Sequence, residues 1–105
     1  MVMRYAVVLE GEAQEQLENL ALYIAEQGDP VAALKYTTRI KVFCESLSSF
    51  PKRGRLRSDI HESLYLIGFE RRVSITYRIN ETNATVTIVG IYYDGQDWEA
   101  RQVDS

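Results

Sequence analysis

The chain has 105 residues, 46% of them hydrophobic and 26% charged, with a formal net charge of −3 and one cysteine. That is the length and composition of one domain, here 1–105, with enough apolar residues for a core. The lone Cys44 excludes an internal disulfide, no apolar run approaches the roughly 20 residues of a membrane span, and no Cys/His cluster or phosphate-binding loop is present.

The start, Met1-Val2-Met3-Arg4-Tyr5, has no apolar signal-peptide core. The composition therefore reads as a cytoplasmic protein with no membrane contact, metal or cofactor. Charge is uneven. Residues 51–78 carry Lys52, Arg53, Arg55, Arg57, Arg71, Arg72 and Arg78 against Asp59, Glu62 and Glu70, whereas the segments on either side are acidic. A basic patch within an acidic whole counts against direct nucleic-acid binding, whose affinity rests on neutralising phosphates.

Arg4 to Leu9 reads as a first strand. From Gly11 to Gln27 the period becomes helical, with Ala13, Leu17, Leu20, Ala21 and Ile24 on one face and Glu12, Glu15, Glu18 and Glu26 off it. Gly28 suits the helix stop, and Asp29-Pro30 is a helix start with Asp as N-cap and Pro in the first turn. The second helix is expected to run to about Ser49, with Ala33, Tyr36, Ile40, Phe43, Cys44 and Leu47 on one face. So short a connection predicts an antiparallel helical hairpin.

Lys52 to His61 is a polar, arginine-rich loop around Gly54. From Leu64 the period falls to two: Val73, Ile75, Tyr77 and Ile79 alternate with Ser74, Thr76 and Arg78. Asn80 to Asn83 is a turn. Ala84, Val86 and Ile88 continue the alternation, while Val89 and Ile91 add apolar character to the other face. The expected fold is α+β in the order β-α-α-β-β-β, a helical hairpin on a mostly antiparallel sheet. The first strand belongs either beside the last or at the opposite edge.

Four blocks resemble the RelE/ParE superfamily of small toxins, and its ParE branch of plasmid-stabilisation type more closely. They are Ala13-x-x-x-Leu17-x-x-Leu20-x-x-Tyr23-Ile24-Ala25; Pro30-x-x-Ala33-x-x-Tyr36 with Ile40, Cys44 and Leu47; Phe50-Pro51-x-x-Gly54-x-x-Arg57-x-Asp59; and the strand pair Phe69-Glu70-Arg71-x-Val73-x-Ile75-x-Tyr77-x-Ile79 with Ile88-x-Gly90-Ile91-x-Tyr93-x-Gly95-Gln96-Asp97-Trp98-Glu99. The resemblance implies the toxin of a type II toxin–antitoxin pair, neutralised by a cognate ParD-like antitoxin. It implies inhibition of DNA gyrase on the ParE side, or ribosome-dependent messenger-RNA cleavage on the RelE side.

RNA cleavage at a 2′-hydroxyl needs a base, an acid and cations for the phosphorane charge. Arg57, Arg71 and Tyr92 are the candidates for that set, with Arg55 and Arg72 as further cations and Tyr93 as a second donor. A base is harder to find, because His61 falls in a loop and Glu70 at a strand start. Inhibition by binding needs only exposed aromatic and arginine anchors. For a target these are Arg55, Arg57, Tyr92, Tyr93, Gln96, Asp97, Trp98 and Glu99. For the antitoxin they are Leu20, Tyr23, Ile24, Leu34, Val42 and Arg57, along an outer apolar groove that a basic or amphipathic partner segment would fill. Plainer roles stand beside these. Tyr23 and Tyr36 would pack between hairpin and sheet, Cys44 would be a buried apolar group, His61 would face solvent, Asp59 would hold Arg57, and Glu70 would pair with Arg71 or Arg72.

Overall fold

A computed structural model describes residues 4–93. Strand β1 (Ala6–Leu9) leads into helices α1 (Gly11–Glu26) and α2 (Pro30–Glu45), followed by β2 (Arg55–Leu56), β3 (Tyr65–Phe69), β4 (Val73–Asn80) and β5 (Thr85–Tyr93). The expected α+β order holds, with the two-residue β2 added inside the arginine loop. The sheet order is β1-β5-β4-β3-β2. β1 lies beside the last strand and parallel to it, in the register Ala6↔Thr85 to Leu9↔Ile88. The other pairings are antiparallel.

The helix boundaries follow local chemistry. Asp29 accepts a hydrogen bond from Ala32 N at 3.0 Å, so the Asp-Pro start works as a cap. Gly28 has φ +107°, a left-handed conformation that glycine adopts without a Cβ penalty. α2 ends sooner than its periodicity suggests. The Ser46 hydroxyl bonds back to Phe43 O, and the chain tightens into a 3₁₀ turn over Ser46–Ser48. A second such turn spans Pro51–Arg53.

The core lies between hairpin and sheet. Ala13, Leu17 and Leu20 of α1 and Ile40 and Cys44 of α2 meet Val73, Ile75 and Tyr77 of β4 and Val86, Ile88 and Ile91 of β5. Ile88 and Ile91 are an odd number of residues apart, yet both face this core. Thr76 pairs with Gly90 while Tyr77 pairs with Ile88, so Val89 is an extra residue that shifts the phase of β5. The sequence showed this as apolar character spreading to a second face. Ile91 N at the irregularity donates to the Gln16 side-chain oxygen at 2.7 Å, which ties α1 to the bulged strand.

Candidate functional site

The arginine loop is anchored from below by Tyr77. Its hydroxyl donates to Pro51 O at 2.7 Å and accepts from Gly54 N at 2.9 Å. A Cβ on Gly54 would stand 2.6 Å from that hydroxyl and 2.8 Å from Leu66 O, so the close approach requires glycine. Burial, above all, raises the Tyr77 pKa, which keeps the hydroxyl protonated as a donor. β2 then pairs Arg55 with Leu66 and leaves the Arg55 side chain exposed.

Several charges of this region already hold one another. Arg57 donates to both Asp59 oxygens, at 2.9 and 2.8 Å, which depresses the Asp59 carboxyl below its ordinary value. Lys52 pairs with Glu81 at 3.0 Å, and the Arg53 guanidinium lies 5.4 Å from the Phe43 ring centre. The expected Arg57–Asp59 contact is therefore present. Glu70 differs from expectation: it takes both Nε and Nη2 of Arg39 on α2, at 3.0 and 2.8 Å. Glu70 and Arg71 have φ of 49° and 67°, a reversal that brings the Glu70 carboxylate to the helix layer. His61 is half-buried instead of facing solvent. Arg78 Nη2 is 3.2 Å from its Nδ1 and 3.3 Å from its Nε2, a position over the ring and not along either lone pair.

The backbones of Arg57 and Arg71, two of the proposed nuclease residues, stand at different levels of the sheet. Arg57 N bonds to Leu64 O, level with Arg78, while Arg71 lies in the turn beyond the Phe69↔Val73 pair. Five residues of strand separate those levels, about 16 Å at the usual rise. Tyr92 is 2% exposed, so it is not a surface anchor for a target. Its ring folds over Gly90, where a Cβ would overlap it. Cys44 is fully buried, and burial pushes its thiol up to about 12, so it is no nucleophile. Gln96, Asp97, Trp98 and Glu99 lie outside the described residues.

The antitoxin candidates divide by helical phase. Leu20 is 6% exposed and belongs to the core, because it shares the face of Ala13 and Leu17. Ile24 is half-buried against the core. Tyr23, Leu34 and Val42 are exposed, and so are Leu22 and Val31, which the sequence reading missed. Leu22 and Val31 are out of phase with the buried positions of their helices, and that was their signal. Val31, Leu34, Thr38 and Val42 form one stripe on α2, turned away from the sheet. Beside β1, a groove of about 580 Å³ has apolar walls from Val7, Leu9 and Leu17 and charged ones from Glu18, Lys41 and Glu45. Val8 on that edge strand is half exposed.

Solved structures of similar shape come from toxin–antitoxin systems. A chain of the chromosomal ParDE system from P. aeruginosa has a TM-score of 0.74 at 17% identity, covering 88% of this chain and 98% of that one. A chain of the RelBE2 toxin–antitoxin complex from Mycobacterium tuberculosis has 0.64 at 22%, covering 86% and 98%. A mutant of the E. coli toxin RelE in the free state has 0.66 at 13%, covering 97% and 96%. At such identities the likeness is one of fold. A comparison with curated proteins finds no match. The family model for the ParE toxin of the type II toxin–antitoxin system parDE matches residues 7–98. The chain thus belongs to the family of ParE toxins of the type II toxin–antitoxin system parDE.

Proposed function

We propose that this toxin is silenced by a ParD-like antitoxin and acts in the cytoplasm by binding DNA gyrase, without cutting RNA. The match to the parDE toxin model over residues 7–98 carries this reading. The antitoxin docks on the outer stripe of α2 and along the edge of β1, with exposed Tyr23 of α1 as a further anchor. The α2 stripe is an apolar surface of the kind that partner helices cover, and the edge of β1 offers backbone groups that an added strand can pair with. For the target, Arg55 and the sequence Gln96-Asp97-Trp98-Glu99 supply the arginine, aromatic and charged residue types that protein interfaces use. The separation of Arg57 from Arg71 along the sheet and the burial of Tyr92 support an inhibitor over a nuclease, because general acid–base chemistry needs groups within hydrogen-bond reach of one substrate.

Induction in cells tests the activity. Gyrase inhibition predicts filamentation, loss of supercoiling and a trapped cleaved gyrase–DNA complex with purified protein. Messages cut on the ribosome while supercoiling stays normal would overturn it in favour of the RelE-type activity. Co-expression with the adjacent small gene tests the pairing, and a chain that stays unbound and harmless would overturn that part.

A further inference from the structure

A second feature of the hairpin is a cleft of about 500 Å³ where α2 meets the ends of β3 and β5. Its walls include Lys35, Tyr36, Arg39, Glu70, Arg72 and Tyr93. Tyr36 packs edge-on to Tyr93, with ring centres 6.2 Å apart, and lies 6.3 Å from Phe69. The Arg39 guanidinium sits 5.1 Å from the Tyr36 ring centre and is held by Glu70. The acid of this lining is thus already matched by one cation. Lys35 is exposed one helical turn before Arg39, and Arg72 reaches the Tyr93 hydroxyl at 3.4 Å. Burial, foremost, raises the Tyr36 pKa, so its hydroxyl stays a donor at neutral pH.

We infer that this cleft is an acidic-peptide pocket: Lys35 and the Tyr36 hydroxyl hold a carboxylate of the antitoxin segment, and Tyr93 packs against an apolar neighbour of that carboxylate. The inference rests on the antitoxin reading above and goes further by fixing the sign of the partner's charge. Lys35 lies four residues after Val31 and three before Thr38, so it borders the stripe, and a helix lying on Val31, Leu34, Thr38 and Val42 comes within reach of the cleft. The partner segment should therefore carry Asp or Glu beside its apolar stripe, where the sequence alone left a basic segment open. Charge complementarity favours a peptide over a polynucleotide. Glu12, Glu15, Glu18 and Glu26 on neighbouring α1 repel an extended polyanion but tolerate one local carboxylate.

The test uses the full chain and the product of the adjacent small gene, with affinity measured by calorimetry. Lys35→Glu should weaken the complex by about tenfold or more, while Lys52→Glu, the same charge change elsewhere, should stay within about twofold. Tyr36→Phe, which removes only the hydroxyl, should weaken it by about three- to tenfold. A partner Asp or Glu changed to Lys should restore binding to the Lys35→Glu chain. A normal complex that ignores Lys35→Glu, or responds equally to Lys52→Glu, overturns the pocket and leaves the antitoxin reading standing. Failure of the wild-type chain to bind overturns both. Self-association of the chain lost on Lys35→Glu, without an effect on the partner, would assign the cleft to a second copy and also overturn the proposal.

Discussion

The inner and outer regions of this molecule use similar residues in opposite ways. On the inner side, Ile40, Cys44 and Leu47 are fully buried, and the Tyr77 hydroxyl closes the arginine loop onto the sheet. On the outer side of the same helix, Val31, Leu34 and Val42 are 62, 68 and 60% exposed. The inner region is completed by the chain's own residues. The outer one holds apolar surface in one stripe that nothing in the described chain covers, the pattern of a docking face and not of scattered exposed residues.

The largest effect should come from breaking the inner side. Ile40→Ala removes a fully buried side chain from the layer between α2 and the sheet. The cost should be about 2–5 kcal/mol of unfolding free energy, read from a shift in urea midpoint. Tyr77→Phe comes next. It leaves Pro51 O and Gly54 N without their common partner, which should cost about 1–3 kcal/mol. Amide exchange at Gly54 should accelerate more than at the centre of β4, and uniform acceleration would show that the hydroxyl does not hold the loop.

Leu34→Ser sharpens the contrast from the outer side. Stability of the isolated chain should change by no more than about 0.5 kcal/mol, because the side chain is already in water. The antitoxin complex should weaken by about tenfold, a loss of about 1.4 kcal/mol. Equal destabilisation of chain and complex would mean that the stripe serves folding. Unchanged affinity would move the docking face away from α2.

Much of this division was legible in the sequence. The switch from a helical to a two-residue period located the hairpin and the strands, and Asp29-Pro30 located the turn between helices. The site was less legible, for three physical reasons. Strand neighbours are set by pairing across the chain, so the parallel contact of β1 with β5 left no local mark. The bulge at Val89 shifted the phase of β5, and the ring of Tyr92 found its seat over Gly90 two residues earlier. An aromatic residue two places from a strand glycine therefore argues for packing. On the helices, strict phase would have kept Leu20 inside and brought Leu22 and Val31 out. The sequence does show that out-of-phase apolar residue, and it was the better guide to the exposed face.

The smallest effect belongs to the loop between β2 and β3, where Arg57 binds Asp59. The folded Asp59 pKa is depressed chiefly by this hydrogen bond. A depressed carboxyl contributes stability that is present above its unfolded value, near 3.9 by reference peptides, and is lost as pH falls through the lower folded value. Glu70 is depressed by Arg39 in the same way. Stability should thus be flat near neutral pH and decline in acid, and Asp59→Asn should remove part of that acid slope. Because Asp59 is solvent-exposed, salt screening should shrink the difference further. A wild-type chain and an Asp59→Asn variant with identical acid profiles at low salt would mean that the pair orients Arg57 without stabilising the fold.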